Sequence, residues 1–268
     1  VGKGDAYVVQ LESGTTIMVD TGPGNPDGTS SAISPLRLRR LGIQQIDLLV
    51  ITHRHRDHFG GGYRIAADIP ISRCIRPKPG KGTISGDWLE FTQRLSNLDL
   101  ECEAMSAGQS LRLPDYTLKV LFPTGDHATR PSTNENNDSM IAKITTRHGI
   151  IWVTGDSPKA NESKLVGTSP TNFRGGVLLV PHHGSITSSS RKLLSHLSPE
   201  AAIVSHGKNI PVITHKKYQS HRIPICGTFP HGSVRLRLFQ GFTLTPMDCL
   251  WEPTPQTPPT PPRLILSL

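Results

Sequence analysis

The sequence predicts an α/β sandwich, with mixed or mostly antiparallel sheets and helices on their outer faces. Short apolar segments rich in β-branched residues alternate with segments of helical periodicity. Many strand segments are separated by hairpin-length turns, which favours this layered arrangement over a strict alternation of parallel strands and helices. The 268 residues suffice to bury a sizeable core, as one large domain or two small ones.

The predicted strands are apolar runs bounded by turn residues, at 5–12, 16–20, 48–52, 116–122, 140–146, 149–154, 177–180, 201–204 and 233–239. The predicted helices lie at 30–41, 86–95, 159–166 and 189–197. The chain starts abruptly inside a strand-like segment, so we expect it to be part of a longer protein. Residues 251–268 are predicted to form an extended tail outside a folded domain of residues 1–250, because six of the 13 residues at 251–263 are proline.

The composition favours an anionic partner. Lys and Arg number 29 against 21 Asp and Glu, which gives a net charge of +8 and a pI near 9.5. This balance is typical of nucleic-acid binding, and also of ordinary soluble basic proteins. The chain has no apolar run of about 18 residues and no signal-peptide pattern, so no membrane span is predicted in it. Its four cysteines lack any C-x-x-C spacing, which argues against a zinc ribbon and leaves disulfide pairing open.

A dense group of possible metal ligands follows the predicted strand at 48–52. Residues 51–62 read ITHRHRDHFGGG and contain His53, His55, Asp57 and His58. Neutral imidazole and carboxylate oxygen are ligands for zinc, iron and manganese. A bare H-x-H is common in solvated loops, whereas H-x-H-x-D-H followed by glycines is far more specific. Because ligands commonly bind beyond the carboxyl ends of strands, the motif predicts a metal site there.

Three further strand ends carry residues of the same kind. Asp138 stands in N-N-D-S before the strand at 140–146, Asp156 follows the strand at 149–154, and His182 and His183 follow the strand at 177–180. Each taken alone is explained by turn chemistry or by a helix cap. Their shared position at strand ends favours a single composite site.

Taken together, these motifs resemble the metallo-β-lactamase superfamily. The segments G-K-G-D-A at 2–6, V-D-T-G-P at 19–23, N-N-D-S at 136–139 and V-P-H-H-G-S at 180–185 are similar to the soluble C-terminal domain of the ComEC family of DNA-internalisation competence proteins. The likeness runs from residue 2 to about residue 245. It implies a four-layer αβ/βα sandwich with two mixed sheets, outer helices and a two-metal site at one edge.

The resemblance also implies two divalent metal ions, manganese or zinc, and assigns their ligands residue by residue. The implied ligands are histidines and aspartates: His53 and His55 for the first metal, Asp57 and His58 for the second, Asp156 between the two metals, and His182 or His183 to complete the second site. Asp20, in V-D-T-G, matches a residue that supports the metal loop through hydrogen bonds.

One position departs from the superfamily pattern. Many members have a third histidine where this chain has Asp138. If Asp138 binds the first metal, that site becomes harder and manganese becomes as plausible as zinc. If Asp138 does not bind, the first site is weak and the chain works with one metal.

A two-metal site activates water and stabilises a displacement at phosphorus. We expect Asp57 or Asp156 to orient the water. One of His182 and His183 would then be free to donate a proton to a phosphate oxygen or leaving group, or to hydrogen-bond a carboxylate. Arg54 and Arg56, at the two x positions of the motif, are predicted to contact phosphate through their planar donor forks, although they can equally face solvent or pair with acids. Further cations follow at Arg73, Arg76, Lys78 and Lys81.

The resulting hypothesis is a metal-dependent phosphodiesterase or nuclease domain of a DNA-uptake protein. Its expected partners are DNA, in single-stranded form, and the membrane channel of the same parent protein. Its expected place is the periplasm or the outer face of the inner membrane. Two alternatives stay open: a small-molecule hydrolase of the same fold, of lactonase, thioesterase or phosphocholine esterase type, and a non-catalytic DNA-binding module.

Overall fold

Two β-sheets pack face to face, and helices cover both outer surfaces. The structure is a computed structural model that describes residues 4–82, 84–125, 127, 134–168, 174–229, 233–236, 250–252 and 266–267. The first sheet has the strand order β14-β13-β15-β1-β2-β3-β4-β5 and the second the order β12-β11-β10-β9-β8-β7-β6. Each sheet combines parallel and antiparallel neighbours, as the sequence predicted.

The strands are short. The first sheet contains β1 (Tyr7–Gln10), β2 (Thr16–Val19), β3 (Leu48–Val50), β4 (Cys74–Pro77), β5 (Cys102–Met105), β13 (Ser233–Leu236), β14 (Leu250–Glu252) and β15 (Leu266–Ser267). The second contains β6 (Ser110–Arg112), β7 (Tyr116–Phe122), β8 (Ile141–Thr146), β9 (Gly149–Val153), β10 (Val177–Leu179), β11 (Ala201–Val204) and β12 (Ile225–Gly227).

The α-helices form the two outer layers. They are α1 (Pro35–Arg40), α2 (Arg56–Phe59), α3 (Gly62–Ala66), α4 (Gly86–Ser96), α5 (Lys159–Thr168), α6 (Arg191–Leu197) and α7 (Val212–Ser220). Among the described residues, no helix is long and apolar enough to cross a membrane.

Three apolar clusters separate the four layers, and the two-residue period of the strands explains them. In β2, Ile17 and Val19 belong to the cluster between the sheets, whereas Met18 packs with helix residues such as Phe91 of α4. On the other side, Trp152 of β9 packs against α5 and α6. A four-layer sandwich results, because each sheet has one face on the other sheet and one face on helices.

The structure differs from the predicted elements in identifiable places. The first helix begins at Pro35 instead of residue 30, because the side chain of Ser34 accepts a hydrogen bond from the Arg37 amide and caps it there. Prediction missed the short strands β4, β5, β6 and β12 and the helix α7. It also missed α2 and α3, which lie where the sequence suggested a polar loop. Most of the predicted tail, 253–265 and 268, lies outside the described residues, but β14 and β15 at its ends pair in the first sheet.

A disulfide joins two neighbouring strands of the first sheet. Cys74 of β4 and Cys102 of β5 are direct partners in the parallel ladder and are bonded to each other. Cys226 is also disulfide-bonded. This answers the question of pairing that the spacing left open, and it ties β5, at the edge of the sheet, to β4.

We predict that replacing both Cys74 and Cys102 by alanine lowers the free energy of unfolding by about 3–4 kcal/mol, because the bond closes a chain segment with a sequence separation of 28. Urea unfolding of the double variant and the parent protein measures this. An unchanged midpoint and slope would show that the bond does not constrain the unfolded chain.

Candidate metal centre

The predicted site residues lie at one edge of the sandwich, where several strand ends meet. Asp20 follows β2, His53 follows β3, Asp156 follows β9, and His182 follows β10. Strands β2 and β3 are parallel, as are β9 and β10, so their carboxyl ends point to the same edge. The fold thereby brings together residues more than 100 positions apart.

Glycines allow the close packing that shapes this edge. A Cβ on Gly60 would lie 2.6 Å from the backbone nitrogen and oxygen of Gly24, so the end of α2 can contact that loop only without a side chain. Gly155 has φ +48, and a Cβ there would lie 2.8 Å from Thr52. Gly60 thus lets the end of α2 approach the loop at Gly24, and Gly155 lets the turn that carries Asp156 approach Thr52 beside His53.

Two groups of possible ligand atoms share Asp156. In the first, which we call the His53 group, one atom each of His53, His55 and Asp156 lie within 4.8 Å of one another. In the second, the His58 group, the same holds for Asp5, His58, Asp156 and His183. Asp57 adjoins the His58 group, with Oδ2 3.5 Å from Nε2 of His183.

Asp156 directs one oxygen to each group. Its Oδ2 lies 3.9 Å from Nε2 of His53 and 3.6 Å from Nε2 of His182. Its Oδ1 lies 3.3 Å from Nε2 of His58 and 3.6 Å from Nε2 of His183. This is the geometry of a carboxylate that bridges two cations.

The donor set fits metal ions. Nε2 of His58, Nε2 of His183 and Oδ1 of Asp156 are buried and have no hydrogen-bond partner among the residues that the structure describes. Leaving such atoms unpaired costs about 1–3 kcal/mol each, so native proteins rarely do so without a bound ion or water. Imidazole nitrogens and carboxylate oxygens that converge in this way are ligands for zinc or manganese.

Carboxylates behind two of the histidines hold them in position. Asp20 accepts hydrogen bonds from the backbone amide and the hydroxyl of Thr52, both at 2.7 Å, and lies 2.8 Å from Nδ1 of His58. Asp5 lies 3.1 Å from Nδ1 of His183 and also accepts a hydrogen bond from Tyr7. In both cases Nε2 is left pointing to Asp156, the usual role of a carboxylate behind a metal-binding histidine. The sequence interpretation included Asp20 and missed Asp5, although G-K-G-D-A contained the signal.

The electrostatics of the edge suit cations. Burial lowers the pKa of His53 well below its usual value, and nearby His58 lowers it further, which favours the neutral imidazole that a metal ion requires. Burial alone would raise the pKa of Asp156, but His58, His53 and His183 hold it well below its usual range. Burial opposes protonation of His183, yet Asp5, Asp57 and Asp156 raise its pKa to about 10. Metal loading would therefore displace protons from the His58 group.

Histidines 182 and 183 face different groups. Both have left-handed backbone angles, φ 54 and φ 50, so successive side chains diverge. His182 lies beside Oδ2 of Asp156, with Nδ1 3.0 Å from the Thr187 hydroxyl, while His183 enters the His58 group. The sequence left open which histidine is the ligand, and the geometry places one beside each group. Such non-glycine conformations cost about 1–3 kcal/mol each and persist mainly at functional sites.

Asp138 is turned away from both groups. Its carboxylate lies 3.2 Å from the Arg54 guanidinium and 2.6 Å from Nε2 of His127, and it accepts a hydrogen bond from the Gly80 amide at 3.2 Å. Neither ligand group of the described residues includes Asp138, whose carboxylate is engaged by Arg54, His127 and the Gly80 amide. The geometry does not support the prediction that Asp138 replaces, as a metal ligand, the third histidine of other superfamily members.

The two motif arginines differ in accessibility. Arg54 is buried and also binds Glu135 at 2.7 Å, so two carboxylates satisfy its guanidinium. The predicted phosphate contact by Arg54 is not supported, because those donors face into the protein. Arg56 is exposed at the rim, where it donates to the Gly24 carbonyl and Asn25 and lies 3.6 Å from Asp87.

Comparison with known protein families identifies the family of this chain. The sequence model of the metallo-β-lactamase superfamily matches residues 1–208. The chain belongs to the metallo-β-lactamase superfamily. This confirms the predicted fold class, and the chain is a metal-dependent hydrolase of that superfamily.

Individual relatives narrow the resemblance. The chain is 28% identical over 257 residues to ComE operon protein 3 of Bacillus subtilis, covering 88% of this chain and 32% of that protein. It is 27% identical over 245 residues to competence protein ComA of Neisseria gonorrhoeae, with 90% and 32% covered. A UPF0173 metal-dependent hydrolase of Hyperthermus butylicus is 25% identical over 211 residues, with 78% and 82% covered. The predicted likeness to the ComEC family is confirmed, and the chain spans about a third of the length of the first two relatives.

We predict that Asp20→Asn weakens metal binding at the His58 group by about 10- to 100-fold, because His58 loses the carboxylate that orients it. Titration with a chelator, followed by elemental analysis, measures this loss. Asp115→Asn, an exposed aspartate at the opposite edge, is the control. Equal metal affinity in both variants would contradict the orienting role.

For Asp138, we predict that Asp138→Asn retains the parent protein's metal content but lowers the free energy of unfolding by roughly 3 kcal/mol, since it breaks a buried ion pair. Asp156→Asn, in contrast, should lose metal. Metal content and urea unfolding are measured on both variants. Loss of metal from Asp138→Asn without loss of stability would restore Asp138 as a ligand.

Proposed function

We propose that this domain is a metal-dependent phosphodiesterase that cleaves DNA and acts within a DNA-uptake protein. The observation that carries the proposal is the division of the Asp156 carboxylate between the two ligand groups. A carboxylate shared in this way indicates two cations, which together would activate a water and neutralise the charge that develops at phosphorus.

The ligand groups favour different metals. His53, His55 and His182 supply three nitrogens beside Oδ2 of Asp156, a set that suits zinc. In the His58 group, Asp5 supports His183 while Asp57 lies alongside Asp156, and two carboxylates in reach of a cation would suit manganese as well as zinc. Asp138 is not in the His53 group, but His182 lies beside that group and can supply a third nitrogen. We therefore propose two metal ions instead of one.

The residues have separable roles in the reaction. Asp57 is partly exposed, and His183, Asp156 and His58 surround its carboxylate, so it can accept a hydrogen bond from the attacking water at the mouth of the site. Asp156 would orient the water from the opposite side. His182 and His183 each serve one group, so neither is spare for protonating the leaving oxygen, and solvent is the proton source in this proposal.

An open cleft adjoins the site and suits an extended substrate. It has a volume of about 640 Å³ and runs beside Asp57 and Arg56, with Ser30 and Ser31 on its wall. Its open shape leaves room for an extended, flexible strand, and Arg56 with the Ser30 and Ser31 hydroxyls offers polar contacts along it. The net charge of +8 favours a polyanion.

The place of action is inferred from relatives and from disulfides. The relatives include a competence protein about three times the length of this chain, which supports a channel-forming remainder as the partner. Disulfides at Cys74, Cys102 and Cys226 persist in oxidising compartments. Both observations support the outer face of the inner membrane.

We expect the metal-loaded domain to cleave single-stranded DNA, and to lose this activity with a chelator and with Asp156→Asn. Labelled single strands, duplexes, a small phosphodiester, a lactone and a thioester are incubated in turn with the manganese and zinc forms. Cleavage of only the lactone or thioester would establish the small-molecule alternative. DNA binding without any product would establish a non-catalytic module.

A further inference from the structure

We propose that Arg76, with Lys78 and Lys81, binds the backbone phosphates of the substrate strand on the side of the His53 group. The inference rests on the proposed function, because it assigns a binding surface to the same polyanionic substrate. The sequence predicted a phosphate contact by Arg54 of the metal motif. We place this contact instead at the end of β4 and in the loop at 77–82.

Arg76 is a half-buried cation without a counter-charge. Within the described part of the chain, its guanidinium donates one hydrogen bond, to the adjacent Pro77 carbonyl at 3.4 Å. Among the described residues, no carboxylate lies within 4.0 Å of it, whereas Arg54, Arg73 and Arg94 each pair with an acid. Removing a charge from water without a partner is costly, so such a guanidinium is poised for an anionic ligand.

Arg76 also lies close to the metal loop. Strands β3 and β4 are parallel neighbours, and the Ile51 amide donates to the Ile75 carbonyl at 2.9 Å, so Arg76 follows directly beside the start of the metal loop. Burial lowers the pKa of Arg76, and the Arg54 guanidinium lowers it further. Arg54 stands between His53 and His55 in the sequence. Its own donors bind Glu135 and Asp138, so Arg76 is the guanidinium of this pair whose donors remain available.

The loop after β4 is held against the same buried network. The Gly80 amide donates to Asp138, which in turn binds Arg54, and the Lys78 amide donates to the Met105 carbonyl. Gly80 is buried, while Lys78 and Lys81 on either side of it are exposed. Within the described part of the chain, neither lysine has a carboxylate within 4.0 Å.

The arrangement fits a strand better than a single phosphate. Arginine binds phosphate through a planar fork of donors, and lysines add point charges on flexible stems. An extended chain covers about 3.3 Å per residue, so cations between positions 76 and 81 can spread over as much as about 16 Å. Several phosphates of one strand can therefore be contacted at once.

The test measures binding and cleavage of a fluorescent single-stranded oligothymidylate by the metal-loaded domain. Arg76→Ala should raise the Kd and KM about tenfold, which corresponds to the loss of a hydrogen bond to a charged group, with a smaller change in kcat. The log–log dependence of binding on salt should flatten by about 0.7 for each lost phosphate contact. Arg76→Lys should recover part of the affinity, and Lys78→Ala with Lys81→Ala should flatten the dependence further.

Stability and metal content separate binding from a structural role. Arg76→Ala should keep the parent protein's metal content and Tm, since no ion pair is broken. Arg112→Ala, an exposed arginine at the opposite edge, is the matched control and should change neither affinity nor salt dependence. A lower Tm or lost metal in Arg76→Ala would overturn the inference in favour of a structural role, and an unchanged Kd and salt slope would overturn it directly.

The binding measurement also distinguishes this inference from the proposed function. If the parent protein binds the oligonucleotide through Arg76 but forms no product with any metal, the binding surface is supported and the proposed cleavage of DNA is contradicted. If the parent protein and the Arg76→Ala variant cleave DNA with the same KM, the proposed cleavage of DNA is supported and the binding surface is contradicted.

Discussion

The buried carboxylate of Asp156 is the constraint on which the rest of the site depends. It is 3% exposed, and its oxygens divide between two sets of imidazoles. A charge in that position is tolerable only if cations face it from both sides, whether protons on histidines or metal ions. The surrounding structure maintains this position: the Asp156 amide donates to Ser139, and the amide of His182 donates to the Gly155 carbonyl.

The two sheets must hold a fixed relation for these groups to meet, and hydrogen bonds at the site edge provide it. The Met140 amide, before β8, donates to the Thr52 carbonyl after β3, and the Asp5 amide donates to the Asp57 carbonyl. Ser205, after β11, donates to the Gly4 carbonyl. Each bond joins the metal loop or its neighbours to a different strand end. The apolar cluster between the sheets supplies the bulk of the packing energy, while these polar bonds fix the register of the edge.

The fold class could be predicted from the sequence, and so could most members of the two candidate ligand groups, because both depend on local patterns. H-x-H-x-D-H, Thr-Gly-Asp and His-His-Gly each follow an apolar strand, and strand ends are where sheets present ligands. What could not be predicted depends on contacts distant in sequence. Asp138 is adjacent to no cation in the sequence, yet Arg54, 84 positions earlier, reaches it and removes it from the site. Strands such as β5, with two exposed residues in four, carry too little apolar signal to be recognised.

Arg54 illustrates how a buried, paired charge positions the metal loop and is not available to bind substrate. Glu135 and Asp138 pair with Arg54, so this residue between two candidate ligands is anchored to the same carboxylate that holds Gly80 and the loop after β4. In our proposal, β4 and that loop present Arg76, Lys78 and Lys81 on the side of the His53 group, while the cleft beside Arg56 and Asp57 opens next to the His58 group. A strand bound along both surfaces would cross the bridging carboxylate. The acid that occupies the position of a third histidine would thus serve substrate binding indirectly, by orienting the surface beside the metals instead of coordinating one.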